Sequence, residues 1–123
     1  MVKVYLLKCI LPIPEKDRLL LFSVLDSYEM KMLPIQKSKN FEIALIGKVL
    51  LKKIISRETF TPVNNILISK TILGKPIIKE PKGSGLDISI SYSGNYVAIG
   101  ISENSGIGVD IELLKNTNFR RSF

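Results

Sequence analysis

The chain of 123 residues has no histidine, no tryptophan and a single cysteine, Cys9. Without histidine, Ser-His-Asp triads, imidazole general bases and histidine-ligated zinc sites are excluded. Any proton transfer must use carboxylates, lysine, tyrosine or water. A lone cysteine in an apolar run predicts a small buried side chain and a protein of the reducing cytoplasm.

Long hydrophobic runs are missing as well. Lysines interrupt the apolar N-terminal stretch and no small-residue cleavage site follows it, so we expect neither a signal peptide nor contact with a membrane. With 46% hydrophobic and 24% charged residues, the composition predicts one globular domain over residues 1–123.

Acidic residues are scarce, with 11 Asp and Glu against 18 Lys and Arg and a formal charge of +7. This excess favours phosphorylated or acidic partners, although lysines can also serve solubility alone. Nucleic acid, an anionic nucleotide cofactor and an acidic protein surface all fit the sign of the charge. No nucleic-acid motif and no basic-aromatic interleaving occur, so we expect no nucleic-acid partner.

Hydrophobic periodicity predicts an α+β fold, a mostly antiparallel sheet packed with a long amphipathic helix over residues 38–60. A strand over residues 2–11 and a helix over residues 15–28 precede that helix, and residues 28–39 are predicted to be a surface connection. Five β-prone segments follow the long helix, and turns at 93–95 and 103–106 predict that the last three form an antiparallel meander. These segments are residues 66–72, 77–79, 86–91, 96–102 and 106–111.

Asp110 and Glu112 form a candidate metal site, because on a strand both side chains point to the same side. Two carboxylates at this spacing suit Mg²⁺, which completes its coordination with water and substrate phosphates. The alternative is that both acids end an exposed strand beside Lys115.

Two further features could contact phosphate. Lys75 stands between a glycine and a proline that fix the local backbone, which suits a phosphate contact or an ordinary solvated turn. The alternation over residues 88–94 places Ser89, Ser91 and Ser93 on one strand face. Such a hydroxyl row can bind phosphate or ribose, or simply face water.

Together, these motifs resemble a known family in their order and spacing. Gly74-Lys75-Pro76, the Ile-Ser-x-Ser-Gly pattern over residues 90–94, Val97-Ala98 and the acidic stretch at residues 108–112 are similar to the N-terminal lobe of two-lobed 4′-phosphopantetheinyl transferases. This type activates nonribosomal peptide and polyketide synthases. The resemblance extends upstream to the long helix, over residues 44–56.

The resemblance implies that coenzyme A binds between two similar lobes and that an acyl or peptidyl carrier-protein serine attacks its pyrophosphate. Asp110 and Glu112 would be the catalytic metal ligands for Mg²⁺. The cofactor-binding residues implied in the same way are Lys31, Lys75, Pro76, Ser91 and Tyr92. Tyr92 stands where the family commonly has a histidine that contacts the 3′-phosphate, and Ile43 stands where it usually has an arginine.

The resemblance covers the first lobe alone. The second lobe's Trp-x-x-Lys-Glu motif has no counterpart after Glu112, and the small trimeric holo-synthases carry both motifs in each chain. We therefore expect a chain that lacks the C-terminal lobe and is incomplete, a truncated form active only with a second lobe. The alternative is a non-catalytic, coenzyme A-binding lobe that self-associates. Both hypotheses predict a homodimer or a complementary second lobe.

Overall fold

The computed structural model describes residues 2–34 and 40–103 and has an α+β architecture, as the sequence predicts. Three helices and five strands are present in this part of the chain, with a short 3₁₀ turn at Val63–Asn65 before the second strand. The helices are α1 (Glu15–Phe22), α2 (Ser27–Lys31) and α3 (Asn40–Thr59). The strands are β1 (Val2–Lys8), β2 (Leu67–Lys70), β3 (Pro76–Glu80), β4 (Leu86–Ser93) and β5 (Tyr96–Glu103).

The strands form two antiparallel sheets, one of order β1-β5-β4 and a two-stranded hairpin of β2 and β3. Gly94 closes the β4–β5 hairpin at φ +56°, a conformation that glycine adopts without steric cost, so the predicted turn there is confirmed. β5 pairs with β4 on one edge and with the N-terminal β1 on the other. The third strand of the predicted meander, residues 106–111, lies outside the described residues.

The core lies between α3 and the inner face of the three-stranded sheet. Ile54 and Ile55 of α3 pack with Ile88, Ile99 and other fully buried aliphatic side chains. Each buried side chain of this size contributes roughly 1.5–3 kcal/mol of transfer free energy, which makes α3 the helix that fixes the sheet. Cys9 is 3% exposed within this core, as its sequence setting predicts.

The predicted helix over residues 15–28 ends at Phe22, and a second short helix begins at Ser27 and extends to Lys31, into the predicted surface connection. α1 ends at Phe22, and Asp26 then begins α2 with a capping box in which its side chain accepts from the Glu29 backbone N–H. The Glu29 carboxylate in turn accepts from the Asp26 backbone N–H. Reciprocal capping makes a new helix start at this point more stable than continuation of α1.

The outer face of the three-stranded sheet changes from apolar to polar across its width. Val2, Val4 and Leu6 of β1 stand exposed on it at 61–64% of their surface. Their β5 partners are the small residues Ser102, Gly100 and Ala98, and the β4 residues beyond them are Asp87, Ser89 and Ser91. No described helix is long and apolar enough to span a bilayer.

Candidate functional site

A cleft of about 460 Å³ opens between α2, α3, the β2–β3 hairpin and the tip of the β4–β5 hairpin. Its wall is apolar where Ile43 and Ala44 of α3 and Ile90 of β4 contribute to it. Its charged lining side chains are Glu29 of α2, Lys48 of α3 and Lys70 of β2. A partly apolar cleft with a few convergent charges is the usual form of a small-molecule site.

Two of the residues that the sequence singled out, Pro76 and Tyr92, line this cleft. The aromatic ring of Tyr92 packs directly against the backbone of α3 at Gly47. A Cβ atom at this position would lie only 2.6 Å from Cε1 and 2.7 Å from Oη of Tyr92. The residue is still 40% exposed, so its other face remains open to the cleft. Burial of the hydroxyl end, with a smaller contribution from Cys9, raises the pKa of Tyr92 to about 12.

The other three implied cofactor contacts, Lys31, Lys75 and Ser91, do not line the cleft, whereas Ser93 of the predicted hydroxyl row does. Lys31 is exposed at the end of α2, and Ser91 lies on the opposite face of β4 from Tyr92. The ammonium of Lys75 lies 3.0 Å from Asp87 Oδ1 of β4, so this lysine holds the hairpin connection against the larger sheet. Its neighbours Gly74 and Pro76 supply the cleft wall at this point.

The ammonium of Lys48 is partly withdrawn from water in the cleft. Burial, and then the positive charge of Lys70, lower the pKa of Lys48, while Glu29 and Asp26 oppose the shift. Neither the ammonium of Lys48 nor that of Lys70 has a hydrogen bond or an ion pair to any described residue. The cleft therefore carries positive charge that residues 2–34 and 40–103 do not neutralise.

Glu29 is already neutralised by a buried ion pair. Lys52 Nζ donates to Glu29 Oε1 at 2.8 Å and to the Val24 carbonyl at 3.0 Å. The side chains of Lys52 and Glu29 are only 2% and 3% exposed. The pair fixes α2 against α3 and leaves Lys48 without a carboxylate of its own.

Sequence reasoning missed Lys48, Lys52 and Lys70 as individual residues. The amphipathic pattern of α3 placed both Lys48 and Lys52 among its polar positions, but Lys52 is fully buried. The available signal was the Asp26–Glu29 spacing, which predicts a capping box and hence a helix start beside α3.

The predicted metal ligands, Asp110 and Glu112, lie outside the described residues. Among the residues that the structure does describe, no three or more Cys, Asp or Glu side chains are grouped so as to hold a metal ion.

Comparison with solved structures supports the fold. The chain resembles the holo-[acyl-carrier-protein] synthase of Helicobacter pylori, solved in complex with coenzyme A, with a TM-score of 0.60 and 19% sequence identity. The match covers 84% of this chain and 99% of that one. At this identity the likeness establishes a common fold.

Curated relatives include the L-aminoadipate-semialdehyde dehydrogenase-phosphopantetheinyl transferases of Homo sapiens and Pongo abelii, each 22% identical over 77 residues. The enzyme of that name from Xenopus laevis is 26% identical over the same length. These matches cover 60% of this chain, which spans only 25–26% of the length of the relatives. Residues 12–104 match the family described as "4′-phosphopantetheinyl transferase, N-terminal". The chain therefore belongs to the 4′-phosphopantetheinyl transferase family and corresponds to its N-terminal domain.

Proposed function

We propose that this chain is the coenzyme-binding lobe of a 4′-phosphopantetheinyl transferase, which moves phosphopantetheine from coenzyme A to a carrier-protein serine. The observation that carries the proposal is the family match over residues 12–104. The matched range includes every described residue that lines the positively charged cleft. A cleft of this sign and size suits a polyanionic nucleotide.

In the proposed reaction, the serine hydroxyl of an acyl or peptidyl carrier protein attacks the pyrophosphate of coenzyme A. The serine hydroxyl gives up its proton to water, a new phosphodiester bond forms to the serine oxygen, the bond within the pyrophosphate breaks, and adenosine 3′,5′-bisphosphate leaves. Carboxylate oxygens are the ligands that Mg²⁺ prefers, so Asp110 and Glu112 would hold this ion. The bound ion supplies neutralisation of the charge that develops on the leaving phosphate.

The residues of the cleft bind and orient the coenzyme in this proposal. Pro76 and Tyr92 form a wall for the nucleotide. Lys31, exposed at the end of α2, and Lys75, whose ammonium is paired with Asp87 in the free protein, are the proposed further basic contacts. Ser91 remains a proposed phosphate contact, although it lies on the other face of β4.

We place the protein in the reducing cytoplasm, since its buried Cys9 is a free thiol whose pKa is raised by burial.

Catalysis by this chain requires a second lobe in our proposal. The chain spans about a quarter of the length of the curated relatives, and the apolar stripe of the Val2, Val4 and Leu6 side chains is exposed on the outer sheet face. Such a stripe supports an interface with a complementary lobe or with a second copy. The same stripe also favours the second candidate function, a non-catalytic coenzyme A-binding lobe that self-associates.

Isothermal titration with coenzyme A, with and without Mg²⁺, tests the proposal directly. We expect wild-type binding that Mg²⁺ strengthens, and we expect Asp110→Ala to lose the strengthening. Glu15→Ala, which removes an exposed carboxylate from α1, is the matched control and should bind like wild type.

A transfer assay with an apo carrier protein then separates the two candidate functions. Phosphopantetheine transfer, read as a mass gain on the carrier protein, would establish the enzyme. Coenzyme A binding without transfer would favour the non-catalytic lobe. Absence of coenzyme A binding would contradict both.

A further inference from the structure

Two lysines of the cleft, Lys48 and Lys70, have no ion pair with any described residue, and they point to a phosphate site that the family resemblance does not assign. We propose that Lys48 and Lys70 together bind one phosphate group of coenzyme A. This inference rests on the proposed function. The pair would supply positive charge that this chain lacks at Ile43 and Tyr92, where the resemblance leads us to expect an arginine and a histidine.

The fold brings the two lysines to one place from distant parts of the chain. Lys48 lies four residues after Ala44, and this helical spacing puts both side chains on the face of α3 that lines the cleft. Lys70 ends β2 and lines the same cleft. Lys48 is also next to Gly47, on which the Tyr92 ring packs. It would therefore supply a positive charge close to position 92, where the family commonly has a histidine.

The charge distribution favours an anionic ligand over a further protein side chain. Glu29 is bound to the ammonium of Lys52, and the carboxylate of Asp26 accepts the capping hydrogen bond of α2. These two acids are therefore engaged, and the positive charges of the two lysines repel each other. A dianion between them removes this repulsion, and a phosphate offers both the charge and several acceptor oxygens.

The size of the cleft argues for a small phosphorylated molecule. At about 460 Å³, with Ile43, Ala44 and Ile90 in its wall, it has room for part of a nucleotide and apolar surface for its uncharged portions. A nucleic-acid strand would instead need an extended basic track with aromatic stacking surfaces. Coenzyme A carries a 3′-phosphate and a diphosphate, and either would meet the charge requirement.

The test is calorimetric titration of the full chain with coenzyme A and with dephospho-coenzyme A, which lacks the 3′-phosphate. Lys48→Met and Lys70→Met keep the aliphatic stem and remove the charge, whereas Lys48→Arg keeps the charge. Lys53→Met is the control, since Lys53 is an exposed lysine of the same helix that does not line the cleft. We expect each Met variant of the pair to bind coenzyme A at least about 10-fold more weakly, as loss of a charged hydrogen bond requires.

The two ligands identify which phosphate is bound. A loss seen with coenzyme A but not with dephospho-coenzyme A assigns the pair to the 3′-phosphate, and an equal loss with both assigns it to the diphosphate. Lys48→Arg should retain most of the affinity in either case.

Two results would overturn the inference, and they are distinguishable. If wild type binds coenzyme A and the Lys48→Met and Lys70→Met variants bind as tightly as Lys53→Met, the lysine pair is not the site and the proposed function stands. If wild type binds neither ligand, the proposed function fails and the lysine pair fails with it.

Discussion

At the scale of single residues, the surroundings of Lys48 in the cleft destabilise its charged form. A lysine that is partly buried beside a second lysine is disfavoured in its charged form, which is why its pKa lies below the ordinary value of 10.5. The groups that face it are Lys70 from β2 and Asp26 and Glu29 from α2. A side chain whose charged form is destabilised in the free protein is expected where a bound ligand offsets that destabilisation.

Lys48→Met should therefore stabilise the ligand-free protein at neutral pH, by on the order of 0.5–2 kcal/mol in the free energy of unfolding. At pH values below the pKa of Lys48 in the folded protein, the lysine is charged in both states of the wild type, and the full destabilisation applies. Between that pKa and 10.5 the unfolded chain binds more protons than the folded one, so wild-type stability rises with pH and the advantage of the variant shrinks.

Urea unfolding of wild type, Lys48→Met and the Lys53→Met control between pH 7 and pH 10.5 measures this effect. A Lys48→Met variant that is less stable than wild type at pH 7 would show that the charge of Lys48 does not destabilise the folded protein.

At the scale of secondary-structure elements, α2 owes its position to the buried ion pair between Glu29 and Lys52. A five-residue helix is too short to be stable alone, so it depends on its capping box and on tertiary contacts. The pair joins it to α3 at 2.8 Å, and the second hydrogen bond of Lys52, to the Val24 carbonyl, fixes the chain just before it. One wall of the cleft thus depends on a lysine that lies outside the cleft.

Lys52→Met should destabilise the protein by about 3–5 kcal/mol, since it leaves the carboxylate of Glu29 buried without a counter-charge. The double variant Lys52→Met/Glu29→Gln removes that charge and should recover part of the loss. Lys53→Met, at the neighbouring exposed position, should change the stability by less than about 0.5 kcal/mol. Urea denaturation compares the three; equal effects at positions 52 and 53 would contradict the buried pair.

At the scale of the whole molecule, α3 packs on one face of the three-stranded sheet, and an apolar stripe is exposed at the edge of the other face. The stripe consists of Val2, Val4 and Leu6 on β1, an edge strand of the sheet that the described residues form. Exposed apolar side chains beside an open strand edge favour association with another protein surface.

We expect the chain to self-associate and Val4→Lys to shift it towards the monomer, because the substitution places a charge in the centre of the stripe. Val4 is 61% exposed, so the fold of the monomer should tolerate the change. Ile72→Lys is the matched control, an equally apolar and fully exposed position on the β2–β3 connection. Sedimentation equilibrium measures the association; a wild-type monomer at high concentration would contradict the prediction.

The sequence by itself determined the long helix, most of the strands and the family, but not the division of residues 15–31 into two helices. A helix of 20 residues repeats its apolar positions over more than five turns, so α3 was predictable at residues 38–60 and is found at Asn40–Thr59. The first four β-prone segments and the Gly94 turn were also predictable, because alternation and turn chemistry are local properties. The order of motifs from Gly74 onwards identified the family without any tertiary information.

Only the tertiary structure decided which residues meet. The pairing of β1 with β5 joins residues more than 85 positions apart, and no local pattern specifies such a contact. Lys48, Lys52 and Lys53 are indistinguishable as lysines of one helix, yet packing leaves them in a cleft, in the core and in solvent respectively. The physical reason is that periodicity fixes which face of a helix is apolar, whereas the neighbouring elements fix what each charged side chain contacts.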